Sequence, residues 1–596
     1  MGTVGEGLCT EQNLLKILNG NIEADWYMKD ILIQRLRQSP DKMELILSQK
    51  DYDAIRMMDL FEECVLKNKK KKAEYILNEL MLKQDSDYEQ KNAKMMHYYR
   101  MNAFMVYYCD RDIAASKQWL VKALDLTLPG WNKKRLSDYV ISTLEMENLL
   151  AYAKLLIEQD SFKEADKLLD NCSNYIKSEF KDEEEFAKIY PKCVWLKSYL
   201  FKKKSDKTEF PIIKEQYLQS KEAADLFRLC DEAFNCLRKC GISYFMLPLL
   251  EMLVMFCGNK KLAYEKEKYR KWYEVLERAY AMYGEKWYPK DVLFHNCYQK
   301  SYHLDYELIA AEEAVQGYKN DTFAEGIYKD PVTYRRFKNK HTKPQNRKFK
   351  LMLEKLGIDK KRCNTYIAAD SYEIQRLKRE IDALVNKDKC DEVEERLSVL
   401  MNRIDLNIFE NYRYVKFIQN FIAYRENRRN TNDILKEDLE LLEHTYKYSK
   451  GGIYRVPFAM EADLLNQIAL MLRKAGRKEE AGKIYDDLIK VMESSRISTR
   501  YRYRAYGLLL GNRASDFAAS EMAEKSIRYT LRCGKLSGLG YDYMTVACAY
   551  LSSSSHRKLS KQFMNDAYYM CELAMHYIDR EICRKYYEEK FGEKIV

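Results

Sequence analysis

Apolar residues along most of this 596-residue chain recur every three or four positions, the spacing that puts them on one face of an α-helix. The pattern comes in pairs, in which one amphipathic helix is followed by a short polar turn and a second helix. It is plainest in segments 149–172 and 465–488, where the small residues Ala165 and Ala481 occupy the same place in the second helix and Gly476 marks a turn. This pattern predicts stacked helical hairpins, which bury their apolar faces against their neighbours.

Looser copies of the pattern occur at 57–80, before Pro129 and at 377–400. These segments resemble the tetratricopeptide repeat, in which small residues let the two helices of a hairpin approach closely while large ones fill the gaps. The resemblance implies an all-α fold, with tetratricopeptide-like helical-hairpin superhelices over residues 46–300 and 363–596.

Composition agrees with a helical chain, since 9 prolines and 21 glycines are few for this length. The longest apolar run, 244–257, contains a proline and a glutamate and is shorter than the roughly 20 apolar residues of a membrane span. We therefore expect a core helix there and no membrane association. The N-terminal residues lack the basic and apolar regions of a secretory leader, and the 16 cysteines are scattered, so we expect a cytoplasmic location.

One segment, 301–362, does not fit the hairpin pattern. It contains the parts of a helix-turn-helix, which reads DNA with the second of two short helices. A first helix is expected at 320–328. Asp330 is suited to cap the second helix, and Pro331 suits its first position, where a missing N–H costs nothing. The second helix should then extend to Lys340.

Two aromatic residues set the faces of that second helix. Tyr334 and Phe337 are three positions apart and are expected to face the core. The opposite face is either a solvated surface or the surface that meets DNA, and the lysine-rich stretch after it is placed to contact phosphates. The side chains assigned to DNA contact on this basis are Val332, Thr333, Arg335, Arg336, Asn339, Lys340 and Lys343.

The net charge concentrates in the same segment. Residues 329–362 contain thirteen lysines and arginines against three acids, which accounts for ten of the chain's net charge of +11. A bidentate arginine can discriminate guanine from other bases by about 1–3 kcal/mol, whereas lysines on phosphates add affinity that depends on salt. We therefore expect Arg335 or Arg336 to supply any sequence specificity.

The segment resembles the Cro/repressor-type (Xre) helix-turn-helix of bacterial transcriptional regulators, through FAEGIY, the Asp-Pro cap, VTYRRF, Pro344 and the closing LMLEKLGI. The resemblance implies an embedded five-helix-type domain over 301–362, with Asn320 as the polar DNA-contacting residue that opens its second helix. The chain departs from the family pattern at Lys338, where an acid is typical, and at Lys340, where glycine is typical. The preceding helix, DYELIAAEEAVQ, is acidic where a basic surface would suit DNA.

The first 45 residues, 1–45, resemble the second half of the same domain. Thr10 is expected to cap a helix, and Leu14 and Ile17 occupy its core positions. The outward face of this helix is a poor match for a polyanion, since it offers Glu11, Gln12 and Lys16. We expect a truncated helix-turn-helix remnant that does not bind DNA alone.

Regulators that join an Xre domain to a tetratricopeptide-like array often use the array to bind a peptide or partner and to dimerise. The resemblance therefore implies a DNA-binding transcriptional regulator whose partners are double-stranded operator DNA, a peptide or protein in the repeat groove, and a second copy in a homodimer. The alternative is a tetratricopeptide-type adaptor that binds proteins or peptides and whose helix-turn-helix units have lost DNA binding.

Motifs of common enzyme classes are missing from the sequence, which has no GxGxxG after a strand, no phosphate-binding GK[ST] loop, no HExxH and no GxSxG. We expect no enzymatic activity and no cofactor. Three cysteines lie close together in the sequence, at Cys230, Cys236 and Cys240. No two of them have the CxxC spacing and no histidine lies near them in sequence, which favours buried thiols over metal ligands.

Overall fold

The computed structural model describes most of the chain, namely residues 2–19, 21–22, 24–82, 91–206, 219–257, 263–283, 300–340, 342, 344–358, 365–369, 371–385, 389–517, 520–551 and 556–595. Within these ranges the fold is all-α, as the sequence predicts, and the only strands are two of four residues each. Short 3-10 turns and one π-turn join the longer helices, at Pro40–Lys42, Leu136–Asp138, Thr499–Arg502 and Val106–Asp110.

The first half of the chain begins with three short helices and a strand and continues as helical hairpins. Its elements are α1 (Gly2–Gly5), α2 (Glu11–Leu18), α3 (Trp26–Arg35), β1 (Glu44–Leu47), α4 (Gln49–Leu66), α5 (Lys70–Leu82), α6 (Lys91–Met105), α7 (Ile113–Thr127), α8 (Thr143–Glu158), α9 (Phe162–Glu179), α10 (Glu183–Asp206), α11 (Lys221–Lys239), α12 (Met246–Phe256) and α13 (Ala263–Met282). We call α1 to α3 the first unit and α4 to α13 the first array.

The second half also has a leading part followed by helical hairpins, but its strand comes before the leading helices and not after them. Its elements are β2 (Ser301–Leu304), α14 (Asp305–Val315), α15 (Asn320–Ala324), α16 (Pro331–Lys340), α17 (Asn346–Lys355), α18 (Tyr372–Val385), α19 (Cys390–Met401), α20 (Phe409–Arg425), α21 (Thr431–Glu443), α22 (Tyr448–Gly451), α23 (Ala459–Lys474), α24 (Lys478–Ser494), α25 (Tyr503–Phe517), α26 (Ser520–Arg532), α27 (Leu539–Leu551), α28 (Arg557–Leu573) and α29 (Tyr577–Phe591). We call α14 to α17 the second unit and α18 to α29 the second array.

Both arrays contain the same series of hairpins. In the first array the paired helices are α4/α5, α6/α7, α8/α9, α10/α11 and α12/α13; in the second they are α18/α19, α20/α21, α23/α24, α25/α26 and α27/α28. The segments with the plainest sequence pattern are the third hairpin of each series. Ala165 and Ala481 are fully buried there, so the two helices of each hairpin can approach closely. Gly476 forms the turn between α23 and α24 with a φ of +81°.

Among the described residues, the two halves of the chain share two extensive contacts, and Arg379 of α18 also pairs with Asp182 before α10. At the first, which we call the head, β1 pairs in parallel with β2 and places Glu44 opposite Ser301 and Leu47 opposite Leu304. One hydrophobic cluster at the head contains residues of both units and of both arrays. At the second, which we call the tail, the turn between α11 and α12 lies against the turn between α26 and α27, and a second cluster joins both arrays. The chain therefore closes on itself.

Two smaller expectations from the sequence have different outcomes. The apolar run 244–257 forms the buried helix α12, as predicted, and no helix among the described residues is both long and apolar enough to cross a membrane. Of the three cysteines expected to be buried, Cys230 is, but Cys236 and Cys240 are only partly buried, because they lie at the end of α11 near the surface.

A buried carboxyl group in α27 should make the stability of the tail depend on pH. Asp542 is 2% exposed, and burial raises its pKa to about 7, against the smaller opposing effect of a hydrogen bond with Ser526. The unfolded chain releases this proton near pH 4, so between pH 4 and pH 7 the folded state binds more protons and stability falls as pH rises.

Replacing Asp542 with asparagine should remove that penalty. We expect Asp542→Asn to raise the free energy of unfolding by on the order of 2–4 kcal/mol at pH 8 and to change it little at pH 4. Urea unfolding at both pH values measures the difference. Asp391→Asn, at an exposed position of α19, is the matched control and should show the same small effect at both. An equal effect of Asp542→Asn at both pH values would contradict the raised pKa.

Candidate nucleic-acid interface

Helix α16 (Pro331–Lys340) is the element to which the sequence assigns DNA contact, and it has the predicted bounds. Asp330 caps it, because its carboxylate accepts the backbone N–H of Val332 at 2.6 Å and the hydroxyl of Thr333 at 3.1 Å. Pro331 takes the first helical position. The cap fixes where the helix begins, and it also occupies the Thr333 hydroxyl, one of the predicted contact groups.

The helix before it, α15 (Asn320–Ala324), is shorter than the 320–328 expected from the sequence. The helix ends because Glu325 is extended, with φ −60° and ψ 131°, and Gly326 follows it with a φ of +81° in the left-handed region. Residues 325–330 therefore form a longer connection than the tight turn of about three residues that was expected. Phe323 is nonetheless fully buried, so α15 still packs through its predicted face.

The inner face of α16 is aromatic, as predicted. Tyr334 and Phe337 are 0% and 2% exposed, and the Tyr334 ring lies 5.3 Å from the ring of Phe323 in α15. The Tyr334 hydroxyl donates to Oε2 of Glu313 in α14 at 2.6 Å. Burial, with this carboxylate beside it, raises the pKa of Tyr334 well above its usual range. These contacts hold α16 against both preceding helices and fix which face is turned outward.

The outer face of α16 carries the five predicted contact residues whose side chains are described, all exposed: Val332, Thr333, Arg335, Arg336 and Asn339. The two arginines differ in one respect. Arg335 Nη2 lies 3.1 Å from Oδ1 of Asp321 in α15, whereas Arg336 has no hydrogen-bond or ion-pair partner among the residues that the structure describes. Among the cations of α16 whose side chains the structure describes, Arg336 can therefore meet a new anion without first breaking a contact.

Asn320 is exposed, but its side-chain oxygen is already in use. Lys338 Nζ donates to Asn320 Oδ1 at 2.8 Å and also lies 2.7 Å from Oε2 of Glu313, which is buried. Lys338 thus links α16 to α14 and α15, and its charge is balanced by an acid on the facing helix. Sequence reasoning did not find this role, since it depends on a pair 25 residues apart.

Three of the four acids of α14 are buried, and the fourth, Glu307, is partly buried. Glu312 Oε1 accepts from Arg455 Nε at 2.6 Å and from the Tyr454 hydroxyl at 2.9 Å, both in the second array. Glu307 accepts from the Ser495 hydroxyl at 2.7 Å. With Glu313 engaged as above, these acids hold the second unit to the array and do not oppose a polyanion at the surface of α16.

The basic residues around α16 divide into structural and free ones. Lys355 Nζ donates to backbone carbonyls at the end of α15, and Lys348 Nζ lies 4.6 Å above the ring of Tyr328. Lys329 and Arg347 are exposed and have no such partner within the described ranges. The side chain of Lys340, the last residue of α16, is outside the described part, as is all of Lys343, so their predicted phosphate contacts remain predictions.

Helix α2 of the first unit is built like α16 but presents a different surface. The Thr10 hydroxyl caps it by accepting the N–H of Asn13 at 3.3 Å, and Leu14 is 2% exposed, as predicted. Its outer face includes Leu15 and Leu18, which are 46% and 50% exposed. Glu11 and Gln12 are also exposed and Lys16 is partly exposed, so this face is largely apolar and carries one acid and one base.

The chain matches no protein-family model and no curated protein. Among solved structures it is similar to Bacillus thuringiensis PlcR, determined in complex with the peptide PapR7 and DNA. The similar region covers 47% of this chain and 98% of the PlcR chain, with 12% identity and a TM-score of 0.33. A similarity of this size establishes neither the fold nor the function of this chain.

Proposed function

We propose that this chain is a cytoplasmic DNA-binding transcriptional regulator that contacts operator DNA with the outer face of α16. The observation that carries the proposal is the exposed Arg336, which has no partner among the residues that the structure describes. It lies on a helix whose register is fixed by the Asp330 cap and by two buried aromatic residues. A recognition helix requires this combination, because base contacts have an exact geometry and demand a rigid support.

The surrounding charges support the same proposal. The segment around α16 contains most of the net charge of the chain, and two acids of the facing helix α14, Glu312 and Glu313, are buried. Two exposed acids next to α16 are engaged, since Asp330 caps the helix and Asp321 pairs with Arg335. Exposed cations beside the helix, Lys329 and Arg347, are suited to phosphates. Binding through such contacts should weaken steeply as salt rises, because each neutralised phosphate releases counterions.

The arrays are proposed to bind a peptide or protein signal. A cleft of about 570 Å³ between α19 and α20 combines the charged side chains of Glu394, Arg428 and Arg429 with the apolar side chains of Leu397 and Met401. Such a mixture suits an extended peptide whose apolar side chains enter the cleft and whose charges exchange with the ion pairs at its rim, Arg428 with Glu394 and Arg429 with Glu437. This support is independent of α16.

The experiment that tests the proposal maps bound DNA across the genome and then measures binding of the purified protein to the recovered sites. The variant Arg335→Ala/Arg336→Ala should lose the preference for these sites over scrambled DNA. The matched control, Lys71→Ala/Lys72→Ala, removes two adjacent exposed cations from α5 and should keep that preference. Absence of DNA binding by the wild-type protein at low salt would overturn the proposal.

The second candidate function is a protein- or peptide-binding adaptor without DNA contact. It is favoured by the engaged groups of the second unit, since the Thr333 hydroxyl, Asn320 and Arg335 all have partners within the chain. It is also favoured by the exposed Leu15 and Leu18 of α2. Under this reading the wild type and both double variants would recover the same protein partners and no DNA.

A further inference from the structure

The two turns that meet at the tail are related by a local two-fold symmetry. Gly241 O accepts the N–H of Leu536 at 2.9 Å, and Gly534 O accepts the N–H of Ser243 at 2.9 Å. Ile242 and Lys535 lie opposite each other between these two bonds in an antiparallel bridge. Each half therefore gives the other the same contact that it receives, which is the defining property of an isologous interface between identical subunits.

The sequence supports an equivalence of the two turns. The first reads Cys-Gly-Ile-Ser after α11 and the second reads Cys-Gly-Lys-Leu after α26, and both follow the second helix of the fourth hairpin of their array. Gly241 and Gly534 have nearly equal φ values, +62° and +65°, in the region that favours glycine. The paired hydrogen bonds thus join equivalent positions of two related halves.

The tail has the chemical character of a permanent interface. Its apolar cluster is continuous from the first array into the second, and permanent interfaces between subunits have the same apolar character as the core of a domain. Charged groups in this interface have partners across it, since Arg278 makes two hydrogen bonds to the buried carboxylate of Asp566, at 2.8 and 3.0 Å. Arg238 donates to the backbone carbonyls of Glu572 and Leu573 at the end of α28.

The two units are not equivalent in the same way. When α2 and α16 are matched by their caps, Leu15 and Lys16 stand where the second unit has Arg335 and Arg336. The strands at the head are also unequal, because β1 follows the first unit whereas β2 precedes the second. The two arrays are therefore related by symmetry, but among the described residues only the second unit has a basic helix suited to reading DNA.

We propose that this chain is a single-chain pseudo-dimer, in which the tail is a two-fold dimer interface formed between the two halves of one chain. The protein is therefore a monomer. It engages one half-site of double-stranded DNA. The DNA part rests on the proposed function, whereas the monomer part does not. Homodimeric helix-turn-helix proteins instead bind two half-sites about one helical turn apart.

The first experiment tests the intrachain interface without DNA. Ile242 and Lys535 form the non-hydrogen-bonded kind of antiparallel pair, whose short Cα separation suits a disulfide. The variant Ile242→Cys/Lys535→Cys is made in the full chain with the neighbouring Cys240 and Cys533 changed to serine, and is oxidised. After denaturation without reductant, we expect a cross-linked product with the 71.0 kDa mass of one chain at every protein concentration.

The Ile242→Cys single variant in the same background is the control and should not form that product. A covalent product of two chains would show that the halves are exchanged between molecules and would overturn the pseudo-dimer, as would failure to form any cross-link. Sedimentation of the unmodified protein should likewise give a monomer, and the homodimer expected from the sequence is the outcome that contradicts it.

The second experiment concerns the DNA and uses the wild-type chain. A duplex containing one copy of the recovered site and a duplex containing an inverted repeat of it are titrated separately. We expect one chain per single site with full affinity, and two chains bound independently on the repeat. A requirement for both half-sites, with a loss of 100-fold or more on the single site, would overturn the inference while leaving DNA binding itself intact.

Discussion

Replacing Arg35 with methionine should destabilise the folded chain by about 3–5 kcal/mol, the largest effect that we expect from a single substitution. Arg35 lies in α3 and is 2% exposed. Its Nε and Nη2 donate to the two carboxylate oxygens of Glu145 at 3.1 and 2.5 Å, and Nη2 also donates to the carbonyl of Thr127 at 2.9 Å. Nη1 donates to the carbonyls of Val4 and Glu6. All five N–H donors are therefore used.

The loss of stability should be large because the substitution leaves a buried carboxylate without its cation. Glu145 is fully buried in α8 and would keep its charge without the cation that balances it. The same contacts join the first unit to the first array, so the head should loosen as well. Urea unfolding of the full chain measures the change in free energy.

Two further variants distinguish this cause from a simple loss of contacts. Adding Glu145→Gln to Arg35→Met should recover much of the loss, because the amide removes the buried charge and its oxygen can still accept the N–H of Ser142 that caps α8. Arg270→Met, which breaks an exposed ion pair with Glu267, should change the stability far less than Arg35→Met does. Equal costs for Arg35→Met and Arg270→Met would show that Arg35 is not an anchor.

Local features of this fold could be predicted from the sequence because they depend on residues close together in the chain. The hairpins follow from the helical period of apolar residues and from small residues such as Ala165 and Ala481. The position and inner face of α16 follow from Asp330, Tyr334 and Phe337, all within one short segment. Each of these signals acts within one or two helical turns.

Features that depend on distant residues could not be predicted in this way. The strands β1 and β2 have four residues each and pair across more than 250 positions, so no local pattern identifies them. The engagement of Asn320 by Lys338, and of Arg335 by Asp321, depends on how α15 and α16 lie against each other. In the sequence, the acids of α14 appear unfavourable for DNA binding. Their partners Arg455 and Ser495 lie in the second array, so the local sequence does not show that these acids are engaged.

The tail interface left one signal in the sequence, the Cys-Gly pair that ends the fourth hairpin in each array. Two residues are too few to establish a duplication alone. Their meaning becomes clear only when the carbonyls of Gly241 and Gly534 are seen to accept equivalent hydrogen bonds.

Arg336→Ala should weaken binding to the preferred DNA site by about 1–3 kcal/mol, roughly 5- to 150-fold, and should leave binding to scrambled DNA nearly unchanged. The reason is that Arg336 is exposed and unpaired within the described residues, on a helix fixed by its cap and aromatic face. Arg335→Ala should have a smaller effect, since Arg335 must first give up Asp321. Competition between the two duplexes, measured at several salt concentrations, separates specific from general binding.

The matched control for this prediction is Arg347→Ala, which removes an exposed cation from α17 rather than from α16. It should weaken both duplexes alike and reduce the salt slope by about one. If Arg336→Ala instead weakened both duplexes equally, Arg336 would be a phosphate contact and specificity would have to come from Asn339, Val332 or the shape of the DNA. If it weakened neither, α16 would not be the reading helix, and the adaptor function would become the better account of this chain.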